Sequence, residues 1–402
     1  MKDAFLDIAQ RMLRLPTAPY CEGFVVAEAV ALGIENGLEV EQDEHGNLLL
    51  HHNRGSAGRP LIVTAHMDHP GLVYADHLSG RDLLFECAGG VPVELTRDAP
   101  VRIYDPGAAA DQPGLRGRIC AFHGTDSAPV QARDLGSSAF AVRVEGADSE
   151  AVAAGCFAML DLPVLAIGER RLRGRACDDL AGCAVGLTWL AMASTREVSS
   201  PCGLLLTRAE EIGFGGMLAA VRSGRLDREA LYVNVECSSE LAGAPLGEGP
   251  IIRVGDRSWI FDAEITAGLT AAADELGGVE TGGGEPPFQY QRRLMDGGRC
   301  EATALARAGY AAGAAAIPLR NYHNRGRRQL QAEAVDVDDA VGLVRLLLHV
   351  AETSGDVSGA LGRAIQQIDD SLDQRYEQSH RRLVETRPAL DAQAGHSTEV
   401  AG

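Results

Sequence analysis

The chain has 402 residues, 46% hydrophobic and 23% charged, with a formal net charge of −19. That length buries a large core, usually in two domains, and the composition is that of a soluble globular protein. The acidic balance argues against nonspecific nucleic-acid binding, no apolar run reaches the ~18 residues of a membrane span, and nine scattered cysteines without a CxxC pair exclude a disulfide framework or zinc knuckle.

In residues 3–14, Phe5, Ile8, Met12 and Leu13 recur near helical spacing and predict an amphipathic helix. This opening lacks the continuous apolar segment and cleavage site of a signal peptide, so a cytoplasmic location is expected. LPTAPYCEG breaks the helix, and Phe24 to Asn36 resumes the pattern. Two short strands, Leu38 to Glu41 and Leu48 to His51, are joined by turn residues 43–47. Leu61, Ile62 and Val63 predict a buried strand that runs into His66, Asp68 and His69. His66 and Asp68 lie two apart and share a face on a continuing strand; His69 is expected to face solvent.

From Gly71 to Gly168 the texture changes. Short β-like runs (LLFEC, VRIYD, RGRIC, AFAVRV, FAMLDLPV) alternate with Gly, Pro, Asp and Ala-rich turns, with Ser149 to Ala154 as a helical candidate and 107–114 as an exposed loop. This spacing predicts a small β-barrel or sandwich inserted into an α/β chain.

Helix–strand alternation returns near Arg171. Asp178 and Asp179 stand just before an Ala/Leu-rich helix, which leaves one acid to cap free N–H groups and one for a metal. Leu204 to Thr207 predicts a buried strand, followed by Glu210 and Glu211 and a turn at Gly213, Gly215 and Gly216. Ligands of open α/β sheets bind at the carboxyl ends of strands. A glutamate pair there offers one oxygen donor to a cation and one free base. Leu231 to Val235 predicts another strand, ending on Glu236. Next come a helix over Phe261 to Leu276, a flexible turn at 281–287, a strand-like FQYQRR, a helix over Glu301 to Tyr310, and a strand over Ala312 to Pro318 running toward His323. Val335 to Ala351 reads as an amphipathic helix. Leu361 to Leu383 has helical periodicity with many charges, and the residues after it are expected to be disordered.

Collected, the strand-end residues are His66, Asp178, Glu210, Glu211, Glu236 and His323. Two histidines with several carboxylates suit two borderline divalent cations such as Zn²⁺, Co²⁺ or Mn²⁺. One carboxylate bridging metals ~3.5–4 Å apart prepares a hydroxide nucleophile near neutral pH, and a free glutamate can pass the water's proton to a leaving amine. Spacing alone does not say which of Glu210 and Glu211 is the base.

Five segments, AHMDHPG (65–71), RACDDLAG (175–182), EEIGFGG (210–216), LGEGPII (246–252) and AAIPLRNYH (315–323), resemble in order and spacing the motifs of the tetrahedral, glutamyl or deblocking aminopeptidases, dinuclear metallopeptidases of the M20/M28-like superfamily. The resemblance spans about residues 1–350. It implies a three-layer α/β/α sandwich with a mixed sheet, split into 1–70 and 169–355, with 71–168 as a barrel-like assembly insert; 356–402, a helical extension and disordered tail, is extra to the family. It also implies an aminopeptidase acting on short peptides with two divalent ions, Zn²⁺ or Co²⁺ foremost and Mn²⁺ compatible. By this resemblance His66 and Glu236 bind the first metal, Glu211 and His323 the second, and Asp178 bridges them. Glu210 is the general base, and Asp68 orients the His66 side. A dimer-based homo-oligomer, often a dodecamer, is implied, with no nucleic-acid or membrane partner.

The chain departs from the family pattern at several positions. Glu236 stands where the family has Asp, HPG replaces EIG after Asp68, DLAG lacks an arginine, and GGRCEA (297–302) brings Arg299 and Glu301 where the family has GGTDA. A carboxypeptidase or N-acyl amino acid deacylase on the same site is the alternative chemistry, and a noncatalytic assembly protein the alternative class. No GxSxG is present, and neither a P-loop nor a GxGxxG follows a predicted strand.

Overall fold

The computed structural model describes residues 1–52, 58–124, 138–146, 149–240, 243–278, 288–352 and 357–386. The turn expected at 281–287 and the tail after 386 lie outside them. Helices α1 (Lys2–Met12) and α2 (Gly23–Glu35) precede strands β1 (Glu39–Gln42), β2 (Leu48–His52) and β3 (Leu61–His66). Six strands follow: β4 (Gly71–Ser79), β5 (Asp82–Ala88), β6 (Pro100–Tyr104), β7 (Leu115–Gly124), β8 (Ser138–Val144) and β9 (Phe157–Leu160). They close into a barrel in the order β4-β5-β8-β7-β6-β9. Phe85, Val101, Ile119, Phe140 and Val142 fill it. Ser149–Ala151, the helical candidate of this stretch, is a single 3-10 turn.

The chain then returns to the first sheet through β10 (Leu165–Ile167), β11 (Arg171–Gly174), α3 (Cys177–Ala193), β12 (Cys202–Thr207), α4 (Gly215–Ser223), β13 (Leu231–Ser239) and β14 (Ile251–Asp256). It closes with α5 (Ala263–Gly278), β15 (Gln291–Met295), α6 (Glu301–Arg307), β16 (Ala311–Arg320), β17 (Glu333–Asp336), α7 (Val337–Glu352) and α8 (Val357–Glu385). The strand order is β1-β2-β12-β3-β13-β16-β17-β11-β10, with β14 and β15 branching from β16. The central strands β12, β3, β13 and β16 are parallel, and antiparallel pairs flank them.

Parallel strands covered on both faces read as continuous apolar runs, and β12 and β16 are buried at almost every position. One face packs α1, α3, α5 and α7 around a sheet core that includes Val63, Leu204, Val233 and Ile317. The other face packs α4 and α6 through Met217, Ala220, Ala304 and Leu305 against Leu205, Tyr232 and Ala312. The result is three layers. Among the described residues, no helix is long and apolar enough to cross a membrane.

Two boundaries differ from the sequence reading. Parallel pairing with β16 carries β13 on to Ser239, so Glu236 lies within the strand, opposite Ala316, and not at its end. Val335 and Asp336 belong to β17, which pairs with both β11 and β16, and α7 starts only at Val337.

Candidate metal centre and active site

The parallel register brings the ends of β3 and β12 level, with His66 opposite Thr207. Beyond Thr207 the chain turns through Ala209 (φ 53°) and Phe214 (φ 65°) into α4. Gly216 makes this turn tight: a Cβ there would lie 2.3 Å from Asn47 Oδ1 and 2.5 Å from the Arg208 nitrogen. Glu210 and Glu211 sit on this turn, and their backbone N–H groups donate to the two oxygens of Asp68, at 2.9 and 3.0 Å. Asp68 Oδ1 also stands 3.4 Å from His66 Nδ1. One buried carboxylate thus ties the glutamate pair to the first histidine.

Asp178 lies between the two histidines. Its Oδ1 is 3.5 Å from His66 Nε2 and its Oδ2 3.5 Å from His323 Nε2. His323 Nε2 is also 3.1 Å from Glu211 Oε1, and His66 Nε2 is 4.0 Å from Glu210 Oε2. Among the described residues two sets of ligand atoms therefore converge, each within 4.8 Å: His66, Glu210 and Glu211, and Asp178, Glu211 and His323. Asp178 Oδ1, Glu211 Oε1 and His323 Nε2 are buried without a hydrogen-bond partner. Buried polar atoms rarely stay unsatisfied, and these imidazole and carboxylate donors are those that divalent cations take. The residues fit a metal.

Electrostatics agree with a site that is crowded with acid. Burial opposes a charged His66, but Glu210, Asp178 and Asp68 outweigh it and hold its pKa well above the usual value. His323 is raised in the same way, against burial, by Glu211 and Asp178. Burial pushes Glu210 well up, reinforced by Glu211, Glu236 and Glu301 and opposed by His66. Glu236 is likewise raised, by burial first and then by Asp178. It belongs to neither converging set, although its charge is felt by Asp178, His66 and the buried Arg253.

Glu333, Glu22 and the Gly90 carbonyl were not singled out in the sequence. Glu333 is fully buried; its Oε2 accepts from the backbone N–H groups of Cys177 and Asp178 at 2.7 and 3.0 Å, and its Oε1 from that of His323 at 2.8 Å. Glu22, also fully buried, accepts from Ala209 N–H at 2.9 Å and from Arg208 Nε at 2.7 Å. His69 does not face solvent. It is 1% exposed, with Nδ1 2.6 Å from the Asp178 carbonyl and Nε2 3.2 Å from Asn324 Oδ1. Asp179 is buried too, its Oδ2 accepting from the backbone N–H of His66 at 3.4 Å. From the loop that follows β5, the Gly90 carbonyl lies 3.2 Å from His323 Nδ1. Donation from Nδ1 leaves Nε2 of a neutral imidazole free toward Asp178 and Glu211. Glu301 is buried and accepts from Thr207 Oγ1 at 2.8 Å, whereas Arg299 is exposed.

A family model described as M42 glutamyl aminopeptidase matches residues 46–346, well over half of the chain. Solved structures similar to it include an aminopeptidase of the archaeon Desulfurococcus kamchatkensis (20% identity, 87% of this chain and 95% of that chain, TM-score 0.69). The Pyrococcus horikoshii TET1 peptidase, described as assembling into a tetrahedron or a large octahedral shell, matches at 18% identity over 87% of this chain and 99% of its own, TM-score 0.69. A TET aminopeptidase of a marine-sediment Thaumarchaeota archaeon matches at 18% identity over 89% and 99%, TM-score 0.71. At these identities the likeness is one of fold, and the family match carries the assignment. The chain belongs to the M42 glutamyl aminopeptidase family and is a metal-dependent aminopeptidase.

Proposed function

We propose that this aminopeptidase removes N-terminal residues from short peptides at the centre formed by His66, Asp178, Glu211, Glu236 and His323, with Glu210 as the general base and Asp68 as a positioning residue. The observation that carries the reading is the Asp178 carboxylate, set with one oxygen toward each histidine. His66 and Glu236 would hold one divalent ion, Glu211 and His323 a second, and Asp178 would serve both; zinc or cobalt suits these donors best. Bound there, such ions polarise the scissile carbonyl and make a water molecule acidic. Glu210, outside the proposed ligand set, takes the proton of the attacking water on its carboxylate and gives it to the departing amine nitrogen. Asp68 keeps Glu210 in reach by holding its backbone N–H.

Residues 1–70 and 169–355 form the catalytic unit in this reading, 71–168 an assembly insert and 356–402 an extension, in a cytoplasmic homo-oligomer. The shell-forming relatives support the oligomer. Glu210→Gln tests the base: turnover of aminoacyl nitroanilides should fall by at least about a hundredfold, while the metal content measured by mass spectrometry stays that of the wild type. Turnover above about a hundredth of wild type would remove Glu210 from the role. The same panel should leave N-acylated amino acids uncut; their hydrolysis would favour the deacylase reading.

A further inference from the structure

The turn that follows β16 is held in an unusual shape. Asn321, His323 and Asn324 all have positive φ, at 58°, 54° and 59°. Residues with side chains seldom adopt that region, and it persists where surrounding bonds fix it. Here Asn321 Nδ2 donates to the Ala332 carbonyl at 2.9 Å, the His323 N–H to Glu333 Oε1 at 2.8 Å, and Asn324 Nδ2 to the Arg175 carbonyl at 2.9 Å. Clamped this way, the turn lays the Tyr322 ring on the His323 imidazole, 3.7 Å between centroids and 22° between planes. His323 Nε2 faces Asp178 and Glu211, so a ring stacked on that imidazole lines the wall of the centre. Tyr322 is 39% exposed, yet its phenol is held well above the usual pKa, by burial first and then by the charges of Asp178, Glu211, Glu236 and Glu210. The hydroxyl end therefore lies among the acids of the centre, while part of the residue stays open to solvent.

Acceptors crowd this centre, and the donors beside it are largely committed. Asp68 takes the N–H groups of Glu210 and Glu211, and the Asp178 carbonyl and Asn324 occupy the two ring nitrogens of His69. The Tyr322 hydroxyl has no hydrogen-bond partner among the described residues, and a phenol carries its proton at neutral pH. Peptide hydrolysis moves the carbonyl π pair onto oxygen as the water oxygen bonds to carbon, and a donor aimed at that charge lowers the barrier. We propose that Tyr322 is a further catalytic residue, its O–H donating a hydrogen bond to the scissile carbonyl oxygen as this becomes an oxyanion. The phenol keeps its proton throughout. The oxygen's pair re-forms the carbonyl as the C–N bond breaks, and the departing nitrogen takes its proton from Glu210. Stacking on His323 sets the hydroxyl in place before substrate arrives, which is what makes such a donor effective. The inference rests on the reading of His66, Asp178, Glu211 and His323 as the place of cleavage.

Tyr322→Phe keeps the stacked ring and removes only the hydroxyl. Its kcat on an aminoacyl nitroanilide should fall by roughly 10²-fold with KM little changed, at the wild-type metal content measured by mass spectrometry. Binding of a phosphinate dipeptide analogue, whose P–O⁻ stands in for the oxyanion, should weaken in proportion, whereas binding of the product amino acid should hold. A packing role would not divide the two ligands in this way. A kcat within about tenfold of wild type would overturn the donor, and so would equal weakening of both ligands. His323→Ala separates this inference from the reading beneath it. Full turnover in that variant would place cleavage elsewhere and remove both, whereas its inactivity beside a fully active Tyr322→Phe would remove the donor alone.

Discussion

Gly90→Ala puts the connection between barrel and site to its sharpest test. A Cβ built at Gly90 would lie 2.2 Å from His323 Nδ1 and 2.6 Å from Cε1. Ordinary carbon–nitrogen contact needs roughly 3.4 Å or more, so the imidazole or the Gly90 segment must yield by roughly 1 Å. The imidazole has little room to do so. Its backbone N–H is held by Glu333 at 2.8 Å, its ring stacks on Tyr322 at 3.7 Å between centroids, and its φ of 54° is already unfavourable for a residue with a side chain. Displacements of about 1 Å in a catalytic constellation cost about 10²-fold in rate, or about 2.7 kcal/mol. The expected result is a kcat/KM lower by about two orders of magnitude and a metal affinity lower by about 10–100-fold, with an unchanged circular dichroism spectrum. Gly298→Ala serves as the control, because its Cβ meets nothing closer than Met295 Sδ at 3.6 Å. Wild-type metal affinity and kcat/KM in Gly90→Ala would refute the argument that the loop after β5 fixes His323.

Glu333→Gln keeps the volume but replaces one acceptor oxygen by a donor, so either the His323 N–H or the Cys177 and Asp178 pair loses its partner. A buried N–H left unpaired costs about 1–3 kcal/mol, to be seen in thermal unfolding, and chelator competition should show metal affinity reduced by about 10–100-fold; unchanged affinity would leave Glu333 with a purely structural part. Glu301 supplies a pH test in EDTA-treated protein. Burial, the largest cause, lifts its pKa from 4.5 to about 7, against the opposing pull of His66 and Thr207. Folded protein then holds a proton that the unfolded chain has lost, so Glu301's contribution to stability is fully present below pH 4.5 and is lost as pH rises through about 7. The loss is on the order of 3 kcal/mol. Glu301→Gln, which cannot ionise, should lack that decline in denaturant titrations at pH 4.5, 6 and 8, and parallel curves for the two proteins would refute it.

The strand ends are legible because each apolar run (LIV, LLLT, LYVNV) must be buried, and a polar residue directly after such a run has few places to go except the rim of the sheet. Two kinds of residue escape that logic. Strand alternation would turn His69 away from His66 and Asp68, but β3 ends at His66, so period two no longer applies and the ring turns inward to the Asp178 carbonyl. Glu236 follows the end of an apolar run, but parallel pairing prolongs the strand past it. Glu22 and Glu333 give no signal at all. Each sits in a locally ordinary stretch, and what makes it matter is a set of backbone N–H groups brought over from distant residues.

Those acids show how the centre is held. Asp68, Glu22 and Glu333 direct their oxygens at backbone N–H groups of the segments that carry Glu210, Glu211, Asp178 and His323. Turns bearing the proposed ligands cannot satisfy these groups through a strand ladder, and an unpaired buried N–H is costly. A carboxylate answers two or three of them at once with charge-assisted bonds. The same substitution that frees a turn therefore also frees the proposed ligand that the turn carries. For this reason loss of metal affinity and loss of turn stability should appear together in Glu333→Gln, whereas loss of a group acting only in proton transfer, as proposed for Glu210, should leave both intact.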